Sequence, residues 1–112
     1  MSQSYQFDIS QTALVSLQDI ESFKTVSMGT EGAAEFTDGL LRDSLAAIAE
    51  DPERYRINGM LAEMGLSLRE RIDPSSQYRV FYDIEGSTVE ILFFISMKQD
   101  LEKALYRFMM AK

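Results

Sequence analysis

A chain of 112 residues, 46% of them hydrophobic and 26% charged, has the composition of a folded globular protein. It is long enough to bury roughly two thirds of the surface its unfolded form exposes, but too short for a multidomain enzyme. The absence of both cysteine and histidine excludes a disulfide framework, thiolate metal sites and the usual general base of neutral-pH catalysis, so neither a metal nor another cofactor is expected. A net charge of −7 argues against an extended nucleic-acid surface, which is built mainly from Lys and Arg.

The opening residues Met1-Ser-Gln-Ser-Tyr5 carry no basic segment followed by an apolar one, and the longest strictly apolar run, residues 91–95, is far too short to span a membrane. A soluble, cytoplasmic protein without a membrane partner is expected. Tyr5 to Ile9 alternates apolar and polar residues and then meets Ser10, the pattern of a half-buried strand running into a helix N-cap. Over 11–26, Leu14, Leu17, Ile20 and Phe23 recur at helical spacing. Gly29, Thr30 and Gly32 then interrupt the pattern. A second amphipathic helix runs to about Glu50, with Ala33, Phe36, Leu40, Leu41, Leu45 and Ile48 on its apolar side, so the two predict an antiparallel helical hairpin. Asp51-Pro52 marks a break, and 53–65 reads either as a short helix or as an irregular connector ending at Gly65.

Beyond Gly65 the period changes to two. Leu66, Leu68, Glu70 and Ile72 alternate with Ser67, Arg69 and Arg71, giving a strand with a basic face. After the turn residues 73–76, Tyr78, Val80, Tyr82 and Ile84 share one face of a strand and Arg79 and Phe81 the other. Following a turn at 85–87, strict alternation places Val89, Ile91, Phe93 and Ile95 on one face and Leu92 and Phe94 on the opposite one. A strand apolar on both sides is central, and Leu92 and Phe94 need cover from either the C-terminal helix or a partner. The last helix starts near Gln99 or Asp100, with Leu101, Ala104, Leu105 and Phe108 on one stripe, and ends in an apolar segment that includes Met109. The order predicts an α+β fold in which the helical hairpin packs on a small, mostly antiparallel sheet, with the N-terminal strand at an edge. The excess acid is all N-terminal: residues 1–65 hold 11 acidic and 4 basic side chains, and 66–112 hold 7 of each. Arg69, Arg71, Arg79, Lys98, Lys103, Arg107 and Lys112 would make a local basic face if the fold gathers them.

The run Tyr78-Arg-Val-Phe-Tyr82 through the 85–87 turn to Leu92, followed by Lys98-Gln-Asp100 and the helix to Tyr106, resembles the C-terminal half of the RelE/ParE toxins of bacterial type II toxin-antitoxin systems. The element order extends the resemblance to nearly the whole chain, as one RelE/ParE-like domain over residues 1–112. It implies a growth-inhibiting, plasmid-stabilising toxin held in a heteromeric complex by a cognate antitoxin. RelE-like members imply ribosome-dependent cleavage of mRNA; ParE-like members imply inhibition of DNA gyrase without hydrolysis.

Metal-free RNA cleavage needs a base, cations around the phosphate and an acid near the leaving oxygen. The RelE-like set maps onto Arg79, onto Arg69 and Arg71 of the preceding strand, onto Lys98 or Gln99, and onto Tyr106 or its neighbour Leu105. Two departures count against cleavage: Ser96 stands where many relatives have histidine, and Lys98 replaces a planar, bidentate arginine with a point charge. The reading therefore leans to a ParE-like gyrase inhibitor, with partner contacts through Leu92, Phe94, Phe108 and Met109. An mRNA endoribonuclease or a non-toxic binding partner derived from the family are the alternatives.

Overall fold

The computed structural model describes residues 4–110, the side chains of 108–110 excepted. The elements follow in the order β1 (Gln6–Ile9), α1 (Gln11–Glu50), α2 (Gly59–Glu63), β2 (Arg69–Ile72), β3 (Tyr78–Glu85), β4 (Thr88–Ser96) and α3 (Leu101–Met110). Four strands form one mixed sheet in the order β1-β4-β3-β2, with β1 parallel to β4 at one edge and the other pairs antiparallel. This is the α+β architecture that the alternation of periods predicts.

The helical hairpin turns more tightly than its sequence implies. Two helices abut within 27–32 with no loop between them, and one residue, Gly29, carries the reversal at φ 77° and ψ 171°. That conformation is open essentially to glycine alone. A straight 40-residue helix would be about 60 Å long, more than the 42 Å of the molecule's longest axis. Lys24 and Phe36, about 18 Å apart along a straight helix, lie with the ammonium 4.8 Å from the ring centroid. The two limbs therefore fold back on each other. The first limb buries Ala13, Ser16, Leu17 and Ile20, while Leu14 and Phe23, expected on the buried stripe, are 42% and 71% exposed. The stripe is rotated because small residues, Ala13 and Ser16, are what allow the limb to approach the sheet.

Two cores lie on opposite faces of the sheet. On one face Tyr78, Val80, Tyr82, Val89, Ile91 and Phe94 pack against Ala13, Leu17, Ile20, Leu40 and Ile48 of the hairpin. On the other, Phe81, Phe93 and Ile95 pack against Leu101, Ala104 and Leu105 of α3 and against Leu61 and Leu68, with Leu66 and Leu92 at the margin. Phe81 and Phe93 stack with centroids 4.8 Å apart. Leu61 sits on the single turn of α2, which Asn58 caps through its side-chain oxygen. Gly65, at φ 86°, closes this turn with Gly65 N–H donating to Ala62 O and Leu66 N–H to Leu61 O, a Schellman arrangement in which Leu66 meets Leu61.

Strict alternation along β4 fails at Leu92. The register passes from Phe81 opposite Phe93 to Tyr82 opposite Ile91, so Leu92 is the extra residue of a β-bulge. Side chains beyond it change face: Phe94 joins Val89 and Ile91 under the helical hairpin, and Phe93 and Ile95 join the α3 side. Ser10 accounts for the bulge chemically. Its N–H donates to Ile91 O at 3.0 Å and its hydroxyl to Leu92 O at 3.0 Å, satisfying two successive carbonyls, while Ser16 Oγ accepts from Phe94 N–H at 3.0 Å. Where β1 ends, two serines of the adjoining helix take over its hydrogen bonding to β4.

Candidate functional site

The structure distributes the cationic candidates over both faces of the sheet. Arg71, expected on an exposed basic face, is buried: its guanidinium donates to Ser44 Oγ at 3.2 Å and lies 3.3 Å from Asp73 Oδ1. Burial alone would push the Asp73 carboxyl up, but Ser76 through its side chain and backbone, the Ser75 hydroxyl and Arg71 together hold it below the ordinary range. Arg69 shares this face and donates to the carbonyls of Glu53 and Tyr55 at 3.0 and 2.6 Å, clamping the connector. Beside it the Tyr82 hydroxyl donates to Pro52 O at 2.6 Å, and burial pushes its pKa up.

Arg79 points to the opposite face. Its guanidinium lies 2.8 Å from Glu70 Oε2 and 5.6 Å from the Phe81 ring, and the other Glu70 oxygen accepts from Asn58 Nδ2 at 3.1 Å. Side-chain exposures of 13% for Arg79 and 17% for Glu70 make this a largely desolvated pair, and the buried Arg79 Nε–H has no hydrogen-bond partner among the described residues. Glu70, on the neighbouring strand β2, is thus the partner of Arg79. Lys98 lies in the turn between β4 and α3. Tyr106 is 67% exposed on α3, and Leu105 is buried in the core beneath it.

The anticipated basic face is therefore not assembled. Arg69, Arg71 and Arg79 are committed to internal partners on two faces, and Lys112 lies outside the described residues. Among the residues expected to contact a partner, Phe94 is buried under the hairpin at 2% exposure and Leu92 lies at the margin of the α3 core. The bulge separates the two, so they do not form one exposed apolar face. Phe108 and Met109 lie outside the residues whose side chains are described.

A different constellation occupies the helical-hairpin side. A groove of about 670 Å³ runs between the first limb of α1, the start of β3 and the 96–99 turn, lined among others by Asp19, Ile20, Phe23, Lys24, Tyr78, Phe94, Ser96, Lys98 and Arg107. Phe36 meets Tyr78 edge-on at 5.6 Å, and Lys24 lies over both rings. Lys24 and Phe23 had no signal in the sequence beyond helical periodicity, because their link to Tyr78 depends on the fold-back at Gly29. At the far end of the sheet, Asp8, Glu90 and Asp83 are register neighbours across β1, β4 and β3, with Glu85 beside them, forming an acidic row. Among the described residues no group of three or more such side chains is placed to hold a metal ion, and no helix is long and apolar enough to cross a membrane.

No protein-family model matches the sequence, and no curated protein matches it either. Solved structures do match in three dimensions. A chain of the chromosomal ParDE toxin-antitoxin system from P. aeruginosa superposes with a TM-score of 0.69 at 13% identity, over 82% of this chain and 95% of that one. A mutant of the E. coli toxin RelE superposes in the free state with a TM-score of 0.56 at 17% identity, over 94% of this chain and 93% of that one. The same mutant in complex with a peptide of the antitoxin RelBc gives 0.56 at 16% identity, over 94% of each. The chain is thus an α+β protein with a helical hairpin on a four-stranded mixed sheet. That fold is the fold of the RelE/ParE toxins.

Proposed function

We propose that this chain is the growth-inhibiting toxin of a type II toxin-antitoxin pair, neutralised in the cytoplasm by a cognate antitoxin, and that it acts by binding DNA gyrase without hydrolytic chemistry. The observation that carries this reading is the separation of the cationic set: Arg71 and Arg79 are held in desolvated ion pairs on opposite faces of the sheet. Stabilising a phosphate during cleavage needs several cations converging on one point. A toxin that works by contact needs only surfaces. The first limb of α1 and the hairpin tip offer apolar ones, with Phe23 71%, Val26 91% and Met28 46% exposed. The likeness to the ParDE chain supports the same choice, and the reading asks for no cofactor.

The test is a supercoiling assay with purified gyrase and the full chain, run beside a translating extract. Inhibited supercoiling with intact transcripts is expected, and the Glu70→Gln/Arg79→Met double variant, which removes both charges together, retains the inhibition. The second reading, ribosome-dependent cleavage of mRNA, is favoured by the extent of the match to the RelE chains, 94% of this chain. Transcripts cut in the extract by the wild-type chain and left whole by the double variant would establish it instead.

A further inference from the structure

A single residue makes the reversal between the limbs of α1. Antiparallel helices are ordinarily joined by roughly two to five loop residues, whereas here helix resumes directly on either side of Gly29. Gly29 holds a left-handed conformation, and Gly32 is confined as well: a Cβ at its position would lie 3.0 Å from the Met28 Cβ. In a continuous helix two positions four residues apart hold their Cβ atoms about 5–6 Å from each other. Both glycines are therefore required by the bent form and by nothing in a straight one. A change at Gly29 alone, to helical φ and ψ, merges residues 11–50 into one helix.

Straightening lifts β1 and the first limb off their own sheet. The buried stripe of that limb, from Ala13 to Ile20, and that of the second, from Ala33 to Ile48, then lie roughly 130° apart around one axis, so one sheet cannot cover both. A second copy of the chain can. We infer that Gly29 is the hinge of a domain swap, in which β1 and the first limb of each copy lie on the sheet of the other and residues 27–32 of each are continuous helix. The pairing of β1 with β4, and the bonds of Ser10 and Ser16 to Ile91, Leu92 and Phe94, reform between chains. The swap thus keeps the contacts of that segment with the sheet and alters the hinge. The groove on the helical-hairpin side then takes Ile20, Phe23 and Lys24 from one copy and Tyr78, Phe94 and Lys98 from the other. Phe23, Val26 and Met28, exposed at the hairpin tip, give the two long helices an apolar surface to bury where they pass. The inference goes beyond the toxin reading and stands without it.

The experiment uses the full chain carrying Asp8→Cys/Glu90→Cys, exposed register partners on β1 and β4, in a sequence with no other cysteine. Samples refolded from urea at high and at low concentration are sized by light scattering. They are then diluted and treated with a short bismaleimide, which links the two positions within one chain in the monomer and between chains in the swapped dimer. A dimer that grows with concentration and runs as two linked chains on a denaturing gel is expected. Adding Gly29→Ala raises its association constant at least about thirtyfold, because the strain of the bent form is relieved once in each chain. Gly32→Ala, which leaves Gly29 in place, raises it too. Inserting Gly-Ser-Gly-Ser after Gly29 relaxes the hinge and abolishes the dimer. A Gly29→Ala chain that stays monomeric, a dimer whose links all close within single chains, or an insertion variant that dimerises as strongly as its parent would each overturn the inference.

Discussion

Arg71 and Arg79 look alike in the sequence, two residues of a basic pattern on neighbouring strands, yet the fold gives each a private carboxylate. Removing one partner of such a pair strands a buried charge, which is costlier than the pair's own worth. Arg71→Met is expected to lower stability by about 3 kcal/mol, measured by urea denaturation, because Asp73 and Ser44 lose their shared donor. Asp73 also sets a pH dependence. Its folded-state pKa lies below the unfolded value, so its contribution is complete above about pH 4 and is lost as pH falls through the folded value. Asp73→Asn should therefore be less stable than wild type at pH 7, with the difference shrinking below about pH 4 in parallel acid titrations. The sequence held the residue types of these pairs but not their commitments, since Ser44 and Arg71 meet only when the second limb of α1 is laid on β2 and β3.

Among the elements, the order of strands and helices, the edge position of the N-terminal strand and the hairpin were legible in the sequence, because each rests on a periodic run bounded by a capping or turn residue: Ser10 after the first strand, Gly29 and Gly32 between the helices, Pro52, Gly65, Pro74 and Gly86 beyond them. The bulge was not. An apolar run such as residues 91–95 reads equally well in either phase, and the slip at Leu92 depends on Ser10 and Ser16, which lie more than 75 positions away in the chain. That slip decides what Phe94 does. As a buried member of the hairpin core, Phe94→Ala is expected to cost about 3–5 kcal/mol in urea denaturation, whereas an exposed contact residue would change stability little. Gly29 is the other local determinant. Gly29→Ala forces a Cβ into a conformation nearly closed to it, with open space around, so the cost of about 1–3 kcal/mol is backbone strain and not collision; a thermal melt reads it directly.

At the scale of the whole molecule, an acidic chain keeps most of its acid on the hairpin and on one end of the sheet, and spends three arginines of its C-terminal half internally. Summing those arginines as a surface patch therefore misjudged where positive charge is available; the groove takes part of its own from Lys24, in the acidic half. The same separation of cations underlies the central claim, that this fold acts here through binding surfaces and not through phosphate chemistry. Pulse labelling of DNA and protein synthesis in bacteria, in the first minutes after the chain is induced without an antitoxin, tests that claim most directly. DNA synthesis falling first, with transcripts intact, is the predicted result. Protein synthesis falling first with cleaved mRNA, or no effect on either, would contradict it.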